Sequence, residues 1–345
     1  MSEQLLFLDR NAVRACLAEV DTCAVVTRVL EHHARERVTL PPEGCLPWSN
    51  SEGAYCRALA MLGAIDPGEG PPLLGVKLIN AAVSNPAHGR ERAAGLSMVF
   101  DPETARPRAL AEAGWLSAIR TAAYTMVSLR QLGPYDLPAV SVIGCGTLAR
   151  AHLGLLAREF PQVVHIHLYD SVPARAQALR EWTQCHHPQL TARVHGSARA
   201  AVGASSVVMT TTTTSSGYLA ADWLAPGTFV AHVSLADLLP DAFVSAQGLY
   251  VDDVELVAAN PQRILGQLIR DGRIAADADG AGSGFRRVLD GTLGQVLIGE
   301  RSAIRPSSGH VISNPFGMSV LDVGLLSAVY EIATSQGIGQ VLTLY

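Results

Sequence analysis

Ala139–Val–Ser–Val–Ile–Gly144–Cys–Gly146–Thr147–Leu148–Ala149–Arg–Ala–His–Leu is the stretch that decides the fold. An apolar, β-branched run breaks into Gly-x-Gly-x-x-Ala, and a helical pattern follows at once. A dinucleotide needs this order of events. The strand delivers the chain to a sheet edge, Gly144 permits a tight turn, and Gly146 lets backbone approach a pyrophosphate. Ala149 allows close helix–strand packing. The helix opening at Thr147 and Leu148 offers unpaired N–H groups and a positive dipole end to the phosphates.

In a chain with 31 glycines the triplet alone is a weak signal, and its context strengthens it. A second strand-like run, Val163–Val–His–Ile–His–Leu–Tyr–Asp170, ends in an acid 24 residues after Gly146. That distance suits a carboxylate on the adenosine ribose, and Asp170 followed by Ser171 favours NAD over NADP, with Arg175 as the opposing charge. Two further polar positions at strand ends are assigned to the cofactor. They are Thr211, in the run Thr210–Thr214, and Ser234.

Short apolar strands alternate with helices after residue 139: a helix over 173–186, then strands near 191–194, 206–211, 228–233 and 248–251. This rhythm implies a largely parallel sheet. Residues 1–35 read as a short strand and a helix. Residues 38–110 are rich in proline and glycine and read as a small mixed sheet, with a hairpin at Asp101–Pro–Glu–Thr104. A helix over 117–132 leads into the parallel unit. The apolar tail 318–333 reads as a helix folding back on the N-terminal part. The expected class is α/β: a Rossmann-type dinucleotide-binding domain (127–308) inserted into a discontinuous α+β domain (1–126 and 309–345), to which the family resemblance described below assigns substrate binding and dimerisation.

Composition narrows the partners. The chain has 345 residues, 48% of them apolar and 17% charged, which describes a packed globular protein. A net charge of −5 without a basic stripe gives no reason to expect nucleic acid or an anionic membrane. Neither a signal segment nor an apolar run of about 18 residues is present, so a soluble, cytoplasmic protein is expected. The six cysteines are scattered without a C-x-x-C pair, so no metal site is expected and Cys145 reads as packing.

Three other segments can carry chemistry. Lys77, in Gly75–Val–Lys77–Leu–Ile, is one lysine in an apolar strand, and it either meets an anion or reaches solvent along its stem. Arg120, in Trp115–Leu–Ser–Ala–Ile–Arg120, can clamp a carboxylate in bidentate fashion or sit in a surface ion pair. His232–Val–Ser–Leu–Ala–Asp237 follows a strand end, where open α/β sheets place ligands. His232 or Asp237 could serve as a base or position water there, or simply belong to a capped turn.

These residues together resemble the ornithine cyclodeaminase/μ-crystallin family along nearly the whole chain. Gly75–Val–Lys77, Asp101–Pro–Glu–Thr104, Ser117–Ala–Ile–Arg120 and Val142–Ile–Gly–Cys–Gly146 stand in the family's order and spacing. Glu91–Arg92–Ala–Ala–Gly–Leu, Val233–Ser–Leu–Ala–Asp237, Val251–Asp–Asp253, Asn314–Pro–Phe–Gly–Met318 and Gly337–Ile–Gly–Gln–Val–Leu–Thr–Leu–Tyr345 narrow the likeness. They are similar to members that cleave N-(2-amino-2-carboxyethyl)-L-glutamate to 2,3-diaminopropionate. The resemblance implies a homodimer, bound NAD and a small amino-acid-derived substrate. It also implies that Lys77 and Arg120 hold the substrate carboxylate, with Lys77, Arg120 and Asp237 as the catalytic group and Asp237 handling a proton or water. Where relatives commonly carry an arginine, this chain has Pro47; that carboxylate contact is either absent or made by Arg57 or Arg92. Asp237–Leu–Leu–Pro–Asp241 departs from the cyclodeaminase pattern. Amino-acid cyclodeamination, imine reduction and non-catalytic ligand carriage are the competing implications.

Overall fold

The computed structural model describes residues 4–260, 263–276 and 287–344, so Tyr345 of the C-terminal motif lies outside them. The chain divides into two compact units, residues 1–120 with 317–345 and residues 121–316.

The first unit holds an eight-stranded sheet. Its strands are β1 (Gln4–Leu8), β2 (Val38–Thr39), β3 (Gly44–Ser49), β4 (Tyr55–Ile65), β5 (Leu73–Ala82), β6 (Ala93–Phe100), β7 (Pro107–Glu112) and the C-terminal strand Gln340–Thr343. The spatial order is C-terminal strand–β1–β7–β6–β5–β4–β2, with β3 also paired to β4. Among the described residues of this sheet, only the β1–β7 pair is parallel. The hairpin at Asp101 joins β6 to β7, and the Asp101 carboxylate accepts from the Glu103 and Thr104 amides at 3.0 and 2.8 Å.

Where one helix is expected before residue 35 there are two, α1 (Arg10–Glu19) and α2 (Thr22–Ala34). The break has a local cause. Asp9 and Asp21 each accept a backbone N–H three residues on, at 2.8 and 2.9 Å, so each opens its own helix.

The C-terminal helix (Ser319–Gln336) lies against β4, β5 and β6. Two cross-strand glycines let it approach. A Cβ on Gly63 would stand 2.9 Å from Ser319 and Val320, and one on Gly75 would stand 3.0 Å from Val323. Strand alternation then sorts the side chains. Gly75, Lys77, Met61, Ser97 and Val99 are buried, while Leu62, Leu78 and Leu96 on the opposite face are 50%, 44% and 40% exposed.

The second unit is a Rossmann-type layer with every strand pair parallel. Its strands are β8 (Ala139–Ile143), β9 (His165–Tyr169), β10 (Thr191–Val194), β11 (Val207–Thr210), β12 (Phe229–His232), β13 (Gly248–Val251), β14 (Gly291–Thr292) and β15 (Val311–Ser313). The order is β10–β9–β8–β11–β12–β15–β13–β14. Connecting helices include α4 (Thr147–Glu159), which follows the glycine loop, and α5 (Pro173–His186). The division at 120/121 falls within α3 (Ala113–Leu132).

The unit boundary differs from the expected 308/309 because β15 inserts between β12 and β13. That strand is too short to read as a parallel member from sequence, yet its pairing carries the second unit on to Phe316. Among the described residues, no helix is long and apolar enough to cross a membrane.

Candidate active site

In the first unit the expected carboxylate-binding cations are both buried, and they meet an acid that the sequence reading did not single out. Lys77 Nζ lies 2.6 Å from Asp322 Oδ2, and Arg120 Nε lies 3.0 Å from the same oxygen. Lys77 is 2% exposed, Asp322 1% and Arg120 8%. Arg120 also donates to Ser117 Oγ at 3.3 Å. Gly317, at φ +100°, makes room for this guanidinium, since a Cβ there would stand 2.9 Å from an Arg120 nitrogen.

Burial, and then the Arg120 charge, pushes the Lys77 ammonium down to about 8, against the pull of Asp322. Burial pushes the Asp322 carboxyl up, but Arg120 and Lys77 together hold it below its ordinary value. Two cations and one carboxylate leave one net positive charge, desolvated. Directly across the β5–β6 pair from Lys77, the buried Ser97 hydroxyl has no hydrogen-bond partner. A desolvated cation pair beside an orphaned hydroxyl is chemically suited to receive one carboxylate.

Arg92 is half-buried just before β6, and its carbonyl accepts from the Ala82 amide. Arg57, on β4, pairs with Ala81 of β5, so the two arginines flank the same end of β5. Burial, with the Arg57 charge adding to it, holds the Arg92 guanidinium below its ordinary value. Among the described residues no carboxylate forms an ion pair with Arg92.

The second unit supplies a cradle of a different kind. Gly144 has φ +93°, and its N–H donates to the Tyr169 carbonyl at 2.8 Å. A Cβ there would stand 2.8 Å from the Thr212 nitrogen, so the turn admits only glycine. Gly146 caps α4 without a side-chain hydrogen bond, and a Cβ on it would meet nothing within 4 Å. Open space over an uncapped helix start fits a pyrophosphate.

The flanking groups tie the loop down. Asp170 accepts from the Cys145 amide at 2.8 Å and from the Val172 amide at 2.9 Å, one bond per carboxylate oxygen. Each oxygen keeps a lone pair for a ribose hydroxyl. Thr211 Oγ1 donates to the Gly144 carbonyl at 2.7 Å. Ala149 is fully buried, Thr147 and Leu148 are half-buried, and Ser171 is exposed. Burial pushes the Cys145 thiol up to about 12, which leaves it an inert packing group.

Asp237 is fully buried and accepts from three hydroxyls: Thr212 at 2.8 Å, Tyr218 at 2.8 Å, and Ser234. The Ser234 hydroxyl also lies 2.7 Å from that of Thr210. Burial raises the Asp237 carboxyl although all three donors pull it down. In this arrangement Asp237 fastens the loop after β12 to the loop after β11, and its Oδ2, which accepts from Ser234 alone, keeps a lone pair for a proton. His232, the other base considered, is buried, and its Nδ1 lies 3.0 Å from the Asn314 amide nitrogen. Burial and the Arg263 charge hold it down to about 3, so it stays neutral.

Asp322, Ser97, Thr212 and Tyr218 are the residues that sequence reasoning missed. Asp322 had one available signal, an acid in an otherwise apolar helix, Ser319–Val–Leu–Asp322–Val–Gly–Leu–Leu.

The comparisons with known proteins show the family and the fold. Residues 13–337 match the family described as "Ornithine cyclodeaminase/mu-crystallin family". The N-((2S)-2-amino-2-carboxyethyl)-L-glutamate dehydrogenase of Staphylococcus aureus is 27% identical over 350 residues, covering 100% of both chains. The crystal structure of CmnK is 53% identical with a TM-score of 0.91, covering 99% of each chain. The Delta(1)-pyrroline-2-carboxylate reductase of Thermococcus litoralis, solved with NADH and L-proline, shares the fold at 20% identity and a TM-score of 0.85, covering 97% of this chain and 99% of that one. With residues 13–337 of its 345 matched by the family model, the chain belongs to the ornithine cyclodeaminase/mu-crystallin family.

Proposed function

We propose that this protein is an NAD-dependent dehydrogenase acting on the C–N bond of an N-substituted amino acid. The substrate is N-(2-amino-2-carboxyethyl)-L-glutamate or a close analogue. The observation that carries the reading is the buried Lys77–Arg120–Asp322 cluster, a receptor with one net positive charge, in a chain that also holds a glycine loop open for a pyrophosphate. The full-length dehydrogenase relative supports the choice of substrate.

The cofactor would lie on Gly144, Gly146 and the start of α4, with Asp170 on its ribose and Thr211 and Ser234 shaping the adjoining loops. When bound, NAD+ supplies the hydride acceptor, leaving the glutamyl α-carbon joined to nitrogen as an imine. Water adds to that carbon and the C–N bond breaks, so substrate and water yield 2,3-diaminopropionate and 2-oxoglutarate. Such a product would serve siderophore or peptide-antibiotic synthesis.

Lys77 and Arg120 hold the α-carboxylate and fix the carbon that loses hydride. Lys77 does this as an ammonium, a form that is lost as the pH rises through about 8, so the base that takes the substrate amine's proton is a different group. Asp237 keeps the Ser234 and Thr212 loops in place and is the candidate for proton transfer. Arg92, with Arg57, offers a second cationic site for the further carboxylate of a glutamate-like substrate.

A homodimer fits the exposed apolar sheet face. Leu62, Leu78 and Leu96 share that face with Leu46, which is 66% exposed on β3.

Lys77→Met tests the assignment. Turnover falls at least about a hundredfold while NAD+ binding by fluorescence titration stays within twofold of wild type. Unchanged turnover would remove Lys77, and the cluster with it, from the site.

A further inference from the structure

Asp322 has a role that neither the motif reading nor the proposed reaction assigns, although it rests on Lys77 and Arg120 being the carboxylate receptor. A fully buried carboxylate is costly unless it is paired, and Asp322 takes both cations on one oxygen. The charged groups acting on Lys77 come from three places: Asp322 on the C-terminal helix, Arg120 on α3, and the more distant Glu43 ahead of β3. Arg120 cannot lose its proton. If Asp322 lost its charge, two like charges would face each other in a desolvated site, and Lys77 is the one able to give way. A neutral Lys77 brings a carboxylate no charge, only a weaker hydrogen bond.

We infer that Asp322 is a positioning residue: it keeps the Lys77 ammonium charged and aimed beside Arg120, so that the pair presents one net positive charge to one substrate carboxylate. Asp322 touches neither the substrate nor the cofactor in this scheme. It acts through Lys77, and the readout that separates this from a merely structural contact is a pH profile.

The experiment is calorimetric titration of 2-oxoglutarate into the NAD+-saturated protein between pH 6 and 9, for wild type, Asp322→Asn, Asp322→Glu and Lys77→Met. In wild type, affinity falls as the pH rises through about 8, where Lys77 loses its proton. In Asp322→Asn the same fall moves to lower pH by about one unit or more. Binding is then about tenfold weaker than wild type at pH 8 and converges with it, within about threefold, at pH 6. Asp322→Glu, which keeps the charge, retains the wild-type midpoint and serves where the asparagine variant does not fold.

An Asp322→Asn defect of equal size at every pH overturns the inference, as does a displaced midpoint in Asp322→Glu. If Lys77→Met binds 2-oxoglutarate as tightly as wild type, the carboxylate receptor itself is wrong. That failure is visible before either Asp322 variant is read.

Discussion

Two alanine substitutions two residues apart in the glycine loop should fail in opposite ways. At Gly144 the backbone is left-handed, with φ +93°, and a Cβ would stand 2.8 Å from the Thr212 nitrogen and 2.9 Å from the Thr211 carbonyl carbon. Left-handed strain alone costs about 1–2 kcal/mol, and the clash is with backbone that cannot swing aside. A total of about 2 kcal/mol or more in a unit of about 200 residues lowers Tm by about 4–8 °C. At Gly146 the backbone is extended, φ −96° and ψ −159°, and a Cβ meets nothing within 4 Å. Gly146→Ala therefore leaves the ligand-free Tm within about 2 °C of wild type. Its methyl group stands where a pyrophosphate would approach, so NAD+ binding weakens at least about tenfold. Thermal unfolding with and without NAD+ reads both effects. Wild type at a hundredfold excess over Kd gains about 2.7 kcal/mol, and at the same NAD+ concentration Gly146→Ala forfeits about half of that gain or more. A Gly146→Ala variant that binds NAD+ as tightly as wild type refutes the placement of the dinucleotide. A Gly144→Ala variant as stable as wild type refutes the strain argument.

Asp170→Ser should cut the preference for NAD+ over NADP+ by at least about tenfold, because it removes the charge that repels a 2′-phosphate; steady-state kinetics with both cofactors reads this, and an unchanged ratio removes Asp170 from the ribose. Leu78→Lys, in the middle of the exposed apolar face, should give a monomer by light scattering with the ligand-free Tm of the second unit retained, and a persistent dimer would place the interface elsewhere. Acid should destabilise the second unit through His152 and His232, which burial holds down to about 4 and about 3. The unfolded chain binds these protons below about pH 6.5 and the folded chain does not, so stability is lost as pH falls from about 6.5 towards 4, by about 3 kcal/mol for His152. His152→Gln should flatten that limb in pH-dependent denaturant titrations; an equally steep limb would show that His152 does not drive it.

The sequence displayed the parallel unit well because its signals are local. A β-branched run, two glycines and a small residue at fixed offsets describe β8, the loop and α4 without knowledge of anything distant. Lys77 and Arg120 also stood out, as charges in apolar surroundings. Asp322 could not be joined to them by spacing, since it lies 245 residues from Lys77 and meets it only when the C-terminal helix packs on β5. The same limit hid β15, whose three residues belong to the parallel sheet through long-range pairing alone. Asp237 was legible as an acid after a strand. The Tyr218 and Thr212 hydroxyls that enclose it come from the preceding loop, and they give its carboxylate an anchoring environment that no local pattern specifies.

The central claim is that this chain couples NAD+ reduction to cleavage of a secondary amine. Its most direct test is to incubate the purified protein with NAD+ and N-(2-amino-2-carboxyethyl)-L-glutamate, following NADH by absorbance while quantifying 2-oxoglutarate and 2,3-diaminopropionate by mass spectrometry. The account predicts the three products in equal amounts, with no ammonia released. Absence of NADH with this and related N-carboxyalkyl amino acids, together with ammonia release from ornithine or lysine at constant NAD+, would contradict it.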